Sequence, residues 1–200
     1  KIYDEQAEEL TDERIKASNK LSKLVSEAMA ELGMPGGVFA IQINPLKEHS
    51  KFGNEEINFL ISANPGQKPE SLSKIASGGE LSRMSLAIQV IASNGSNIPT
   101  MIFDEVDSGI GGAIAEIVGI RLRDLSNHRQ ILCVTHLAQV ASKGNSHIRI
   151  NKLSDQNTTK IRATKLEKDS RIEEIARMIG GIELTDKTRD HAVEMLSKKN

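Results

Sequence analysis

The sequence predicts an α/β fold in which a mostly parallel sheet is flanked by helices, with a long helix at the N-terminus. Two short, almost wholly apolar segments at 100–103 and 131–135 alternate with segments of helical periodicity. Such strands are typical of parallel sheets that are covered on both faces. The first 32 residues contain no Gly or Pro. A chain of 200 residues, 38% of them hydrophobic, is long enough to bury a core.

Residues 3–32 form the predicted N-terminal helix, which Gly33 and the Pro and Gly after it end. Within it, apolar residues recur at a seven-residue spacing that Arg14 interrupts; they are Leu10, Ala17, Leu21, Leu24 and Ala28. Two interpretations fit this spacing. The helix is either the end of a coiled-coil arm or an ordinary amphipathic helix packed on the domain.

The remaining elements follow from hydrophobic periodicity and from the turn residues between them. Helices are predicted at about 80–92 and at 114–125, 137–142, 171–179 and 186–196. Besides the two apolar segments, strands are predicted at 38–43 and 57–63, which flank a polar segment with Pro45 and Gly53. A hairpin at 147–151 and 160–166 is expected to close the edge of the sheet.

Composition limits the classes of function. The net charge is -1, so no overall basic excess indicates nucleic-acid binding. No apolar run is long enough to span a bilayer, and no signal peptide opens the chain, so we expect no membrane partner. The single cysteine, Cys133, rules out an intramolecular disulfide and fits a reducing, cytoplasmic setting. Because the sequence starts at Lys1 rather than Met, we expect a fragment or a processed chain.

Two adjacent acids, Asp104 and Glu105, directly follow the apolar segment 100–103. Open parallel sheets bind ligands beyond the carboxyl ends of their strands. In phosphoryl transfer the first acid can hold Mg²⁺, and the second can orient or deprotonate the attacking water. The alternative is that both acids are ordinary helix-capping residues.

A second motif, Ser77-Gly78-Gly79-Glu80, opens the predicted helix at 80–92. Two glycines there leave backbone N–H groups open to a phosphate, and the helix dipole favours an anion. The alternative is a flexible turn with a simple N-cap. A third feature, His136, directly follows the strand at 131–135 and can donate to a γ-phosphate or position water; the alternative is a surface or capping histidine.

In this order and spacing, the motifs resemble the C-terminal lobe of ABC-type ATPase heads. The signature loop corresponds to residues 76–80, Walker B with the catalytic glutamate to 99–105, the D-loop to 108–111, and the switch histidine to His136. The resemblance implies that ATP and Mg²⁺ are the cofactors. Asp104 would serve the metal, and Glu105 and His136 would be catalytic. The nucleotide contacts implied are Ser77, Gly78, Gly79, Glu80, Ser108 and Gly109.

Finer matches resemble the RecN family of bacterial DNA repair proteins, which belongs with the SMC-like ATPases. They are the segments 64–66, 75–83, 103–112, 133–141 and 171–181, with His191-Ala192. The resemblance implies an arm helix at 1–32 and a C-terminal head lobe at 33–200. It also implies a second head as homodimer partner, DNA as a partner in repair of double-strand breaks, and a bacterial, nucleoid-associated location.

Two departures from the ABC pattern bear on function. Gly111 stands where the D-loop usually has aspartate, which also looks normal for RecN-like sequences. No G-x-x-x-x-G-K-[ST] loop occurs, so nothing here cradles the β- and γ-phosphates. The family would supply this Walker A loop from the N-terminal half of the head. We therefore expect the complete protein to hydrolyse ATP and this fragment alone to be inactive.

Three other functions fit parts of the pattern. One is the head of another SMC-like ATPase, acting in chromosome organisation rather than repair. Another is a metal-dependent nuclease or phosphatase that uses Asp104, Glu105, Asp107 and His136. The third is a non-catalytic docking module.

Overall fold

A computed structural model describes residues 1–71, 78–92, 98–155, 158–181 and 184–198. The chain divides into two compact units, Lys1–Ile98 and Pro99–Asn200, which are described separately. Within the described ranges, every helix is too short or too polar to cross a bilayer.

The described residues of the first unit form two helices and a three-stranded antiparallel sheet. Its elements are α1 (Ile2–Glu31), β1 (Val38–Ser50), β2 (Gly53–Ser62), β3 (Glu70–Ser71) and α2 (Gly78–Ala92), with strand order β1-β2-β3. The helices agree with the prediction, except that α2 begins two residues earlier.

The hairpin of β1 and β2 is longer than predicted, because both strands continue through the polar segment. Their register shifts between Pro45 and Ser50. Contacts with α1 hold this part: the Arg14 guanidinium lies 2.7 Å from the Glu55 carboxylate, and the Tyr3 hydroxyl donates to the Ser50 carbonyl at 2.9 Å. The local sequence of this polar segment predicts a loop, but long-range contacts with α1 stabilise it as part of the two strands.

The buried positions of α1 are Ala7, Val25 and Met29. They differ from the predicted heptad seam, whose residues are exposed or half-buried, because α1 packs against the hairpin and α2. Near the end of α1, the Ser26 hydroxyl accepts a hydrogen bond from the Phe39 N–H at 3.0 Å. The coiled-coil arm at 1–32 stays a prediction.

In the second unit, the described residues form eight further elements, with two separate sheets. They are β4 (Thr100–Phe103), α3 (Gly112–Ser126), β5 (Gln130–Cys133), α4 (Ala138–Lys143), β6 (Ile148–Asp155), β7 (Thr158–Lys165), α5 (Lys168–Gly180) and α6 (Asp186–Ser197). Strands β4 and β5 pair in parallel, whereas β6 and β7 form an antiparallel hairpin. Helices beside small sheets agree with the predicted α/β class.

Two details of the sheets differ from the prediction. In the part of the chain that the structure describes, only β4 and β5 pair in parallel, and the β6–β7 hairpin forms its own sheet rather than the edge of theirs. The short connection between β6 and β7 imposes antiparallel pairing, whereas the connection between β4 and β5 contains α3 and is long enough for a parallel pair. One face of β4–β5 is also exposed rather than covered: Ile102 is 70% and Val134 61% exposed.

Helix α4 is short, but its C-terminal end is held firmly. The Arg171 guanidinium donates to the carbonyls of Ala141 and Ser142, both at 3.2 Å, and that of Arg123 donates to the Lys143 carbonyl at 2.8 Å. These cations satisfy carbonyls that a helix end leaves unpaired. Helix α4 also contributes to a core cluster with α5 and α6, made of Ala138, Ala141, Ile175, Ala176 and Ala192. The loop that precedes α4 thus joins a fixed helix.

Candidate functional site

The ends of β4 and β5 bring two of the predicted motifs to one edge. Their register pairs Thr100 with Gln130 and Phe103 with Cys133, so the carboxyl ends of both strands coincide. The Val134 N–H extends the ladder by donating to the Phe103 carbonyl at 2.9 Å. The residues that follow, Asp104 in one loop and His136 in the other, leave the sheet at the same edge, as the sequence predicts.

The acidic pair begins a tight turn after β4. Asp104 and Glu105 are both exposed, and the Glu105 N–H donates to Asp104 Oδ1 at 2.9 Å. Glu105 has φ 56, a left-handed conformation that residues other than Gly rarely adopt, and its carbonyl accepts from the Ser108 N–H at 3.0 Å. Such backbone strain costs about 1 kcal/mol or more and clusters at functional sites.

The helix that follows this turn does not use the acids as caps. The N-cap of α3 is Gly111, in extended conformation, with no side-chain capping hydrogen bond. The capping alternative for Asp104 and Glu105 is therefore wrong. Ser108 and Gly109 are exposed between the acids and the helix, and Gly109 has φ 73 with no heavy atom within 4 Å of an added Cβ. This stretch is open to a ligand.

Asp107 joins the two strand ends, and sequence reasoning missed this role. It is only 2% exposed. Its Oδ2 atom accepts hydrogen bonds from the Thr135 hydroxyl, from the His136 N–H at 3.0 Å and from the Leu137 N–H at 3.3 Å. The Nδ1 atom of the His136 ring lies 3.3 Å from the same oxygen. Except as a ligand in the nuclease alternative, no signal in the sequence singles out Asp107 among turn residues.

The carboxylates at this edge also affect the thiol of Cys133, at the end of β5. Burial raises the pKa of Cys133 to about 12, and the carboxylates of Asp107 and Asp104 add to the increase. A field that opposes a thiolate favours a bound cation.

The predicted signature residues lie in the first unit, apart from Ser77, which falls outside the described residues. Gly78 and Gly79 open α2, with Gly78 exposed and Gly79 buried, and Glu80 is half-buried in the first turn. Further along, burial lowers the pKa of the Arg83 guanidinium, and Glu80 opposes this shift. The N-terminal turn of α2 is thus present as predicted.

Comparison with solved structures defines the fold class. The Smc head domain with a coiled coil and joint from Pyrococcus yayanosii matches 86% of this chain and 31% of its own, with TM-score 0.59 and 18% identity. A structure described as "Structural biochemistry of ATP-driven dimerization and DNA stimulated activation of SMC ATPases" matches 86% of this chain and 99% of its own, with TM-score 0.50 and 16% identity. The chain therefore has the fold of part of an SMC-type head.

Sequence relatives narrow this class. The DNA repair protein RecN of Xylella fastidiosa (strain Temecula1) is 47% identical over 194 residues, which are 96% of this chain and 35% of that protein. The RecN of Vibrio cholerae is 44% identical over 191 residues, covering 95% and 34%. No protein-family model matches the chain. The chain belongs to the RecN family, and it spans about a third of the length of these curated relatives.

Proposed function

We propose that this chain supplies part of the ATPase head of a RecN-type protein that acts in the repair of DNA double-strand breaks. The observation that carries the proposal is the shared edge of β4 and β5, where the Asp104–Glu105 turn and the His136 loop meet through Asp107. The 47% identity to a DNA repair protein supports the same function. Exposed acids at the carboxyl ends of parallel strands suit phosphoryl transfer.

The carboxylates at this edge fit Mg²⁺. Mg²⁺ usually takes one or two protein carboxylates and fills its other positions with water and phosphate oxygens. Asp104 is exposed at the end of β4 with a second exposed carboxylate, Glu105, next to it, and the described ranges contain no cluster of three metal-binding side chains. When bound, the ion neutralises charge on the phosphates. Asp104 is the residue that would hold it.

The other roles follow from position. Glu105 presents an exposed carboxylate from a strained turn, where it can accept a proton from water as general base. The exposed imidazole of His136 can donate to a phosphate oxygen. We assign nucleotide contacts to Ser77, Gly78, Gly79, Glu80, Ser108 and Gly109. The glycine-rich start of α2 suits an anion because the first N–H groups of a helix have no partner within it and its dipole favours negative charge there.

The proposal requires partners. Since the sequence lacks a Walker A loop, we propose that the N-terminal half of the head supplies it and that a second head completes each site. One structural neighbour is described by the "ATP-driven dimerization and DNA stimulated activation of SMC ATPases". This description supports a homodimer and DNA as partners. On this proposal α1 is the end of an arm, the protein works in the bacterial cytoplasm at the nucleoid, and the chain alone hydrolyses no ATP.

The test is turnover of Mg-ATP by the full-length protein carrying Glu105→Gln. Loss of a general base lowers kcat by about 100-fold or more, while ATP binding and head dimerisation persist because the metal carboxylate remains. The matched control is Glu173→Gln, which changes an exposed carboxylate on α5. Parental turnover in the Glu105→Gln protein refutes the assigned role. Metal-dependent DNA cleavage without nucleotide, assayed on the same samples, would favour the nuclease alternative.

A further inference from the structure

The proposed chemistry assigns no role to the buried carboxylate of Asp107. This carboxylate nevertheless lies between the Asp104–Glu105 turn and the His136 loop, which carry the proposed catalytic residues. Its side chain is 3% exposed, whereas that of His136 is 70% exposed. A carboxylate this buried needs hydrogen-bond partners to offset its desolvation. All the partners described for it come from residues 135–137, about thirty positions later in the chain.

A single oxygen, Oδ2, organises this loop. The Thr135 hydroxyl donates to it and also accepts from the Leu137 N–H at 3.1 Å. The His136 and Leu137 N–H groups point to the same oxygen, so the backbone of the loop bends around the carboxylate. These bonds are charge-assisted, which makes them stronger than bonds between neutral groups.

The same oxygen orients the imidazole. With Nδ1 of His136 3.3 Å from Oδ2, a proton on Nδ1 is directed to the carboxylate, and Nε2 is turned away from it. Asp107 also lies within the turn that begins at Glu105, since the Ser108 N–H closes that turn on the Glu105 carbonyl. A movement of either loop is therefore transmitted to the other through one side chain.

We propose that Asp107 is a positioning residue that locks the His136 loop to the Asp104–Glu105 turn, so that both respond together to nucleotide. The inference rests on the proposed function. It goes beyond it by assigning the coupling of the two loops to one buried carboxylate. Asp107 touches neither nucleotide nor metal in this role.

The experiment uses the full-length protein with Asp107→Ala and Asp107→Asn. Alanine removes the acceptor, whereas one amide oxygen of asparagine can still accept the three loop hydrogen bonds. We expect kcat for ATP to fall by about 10- to 100-fold with alanine, with KM nearly unchanged, and asparagine to restore most of the loss. Hydrogen exchange of the amides of His136 and Leu137, followed in peptides spanning 134–140, should accelerate with alanine only.

Two further variants keep the test decisive if the alanine protein does not fold. Thr135→Val removes one hydroxyl at constant volume and should lower kcat, whereas Thr135→Ser keeps the hydroxyl and should not. Asp124→Ala, which removes an exposed carboxylate on α3, is the control for charge and should match the parent.

Parental kcat and parental exchange in the Asp107→Ala protein overturn the inference. If Glu105→Gln is then inactive, the proposed function stands; if Glu105→Gln is also fully active, both fail. Equal losses with alanine and asparagine also overturn it, because the loop hydrogen bonds would then not be what matters.

Discussion

Glu174 on α5 offers a sharp test of how the second unit is held together. Its side chain is 4% exposed and binds two arginines. Arg177, one turn along the helix, donates from Nη2 at 2.7 Å and from Nε at 3.2 Å, and Arg149 of β6 donates at 3.4 Å. This carboxylate therefore joins the β6–β7 hairpin to α5.

The change Glu174→Gln keeps the volume but removes the charge, and it turns an amide NH₂ toward guanidinium donors. A hydrogen bond to a charged group contributes about 1.5–3 kcal/mol when well buried. Here the Arg149 and Arg177 side chains are 41% and 58% exposed, so water screens both and they can resolvate. Taking about 1 kcal/mol for each arginine, we expect a loss of about 2 kcal/mol and a Tm lower by about 4–8 °C.

Urea denaturation of the chain, followed by circular dichroism near pH 7, measures the difference. The matched control is Glu173→Gln on the same helix, whose carboxylate is 49% exposed and pairs with Arg189, which is 42% exposed. This change should cost less than about 0.5 kcal/mol. Equal losses in the two variants would refute the reasoning, because burial would then make no difference.

The pH dependence gives a second check on Glu174. Burial alone would raise its pKa, but hydrogen bonds and charges from Arg177 and Arg149 outweigh burial and hold the pKa below the usual 4.5. A lowered pKa contributes stability above the ordinary value, which is lost as the pH falls through the folded-state value. The difference in unfolding free energy between the parent and Glu174→Gln should be complete near pH 7 and should shrink as the pH falls below 4.5.

Two further predictions concern packing and the strand edge. Gly119→Ala should lose about 1–3 kcal/mol despite its better helix propensity, because a Cβ would lie 3.1 Å from the Gln139 carbonyl and 3.2 Å from Val140 Cα. In the same urea titration Gly111→Ala, which has open space around it and changes only the N-cap of α3, should lose less than about 1 kcal/mol. Cys133, with its pKa raised to about 12, should react with iodoacetamide near pH 8 about 100-fold or more slowly in the folded chain than in urea, and equal rates by mass spectrometry would contradict this.

Local periodicity predicted most of the helices and strands, since their apolar spacing is visible without knowledge of their neighbours. The polar half of the first hairpin was missed because Arg14 and Glu55, 41 positions apart, hold it in place. No local window contains both residues. The separate β6–β7 sheet was missed for a related reason: the sequence shows that a hairpin forms, but not which strand it lies beside.

The candidate site shows more clearly that local sequence patterns do not reveal contacts between distant residues. A rule about where parallel strands end was sufficient to place Asp104, Glu105 and His136 at one edge, because the acidic pair and the histidine each follow an apolar segment. Asp107 follows no such rule. Its importance arises from backbone N–H groups of a loop that only the parallel pairing of β4 and β5 brings near it.

This difference separates two kinds of acid within one turn. The exposed acids, Asp104 and Glu105, are candidates that their residue type and position indicate from the sequence alone. Burial of the Asp107 carboxylate without hydrogen bonds would cost free energy, because a desolvated carboxylate is stable only when several donors bind it. Those donors belong to residues 135–137 of the His136 loop. The same hydrogen bonds therefore stabilise the buried carboxylate and hold the loop. A substitution that removes the carboxylate must therefore loosen the loop, which is why exchange at residues 136 and 137 tests the coupling independently of ATP.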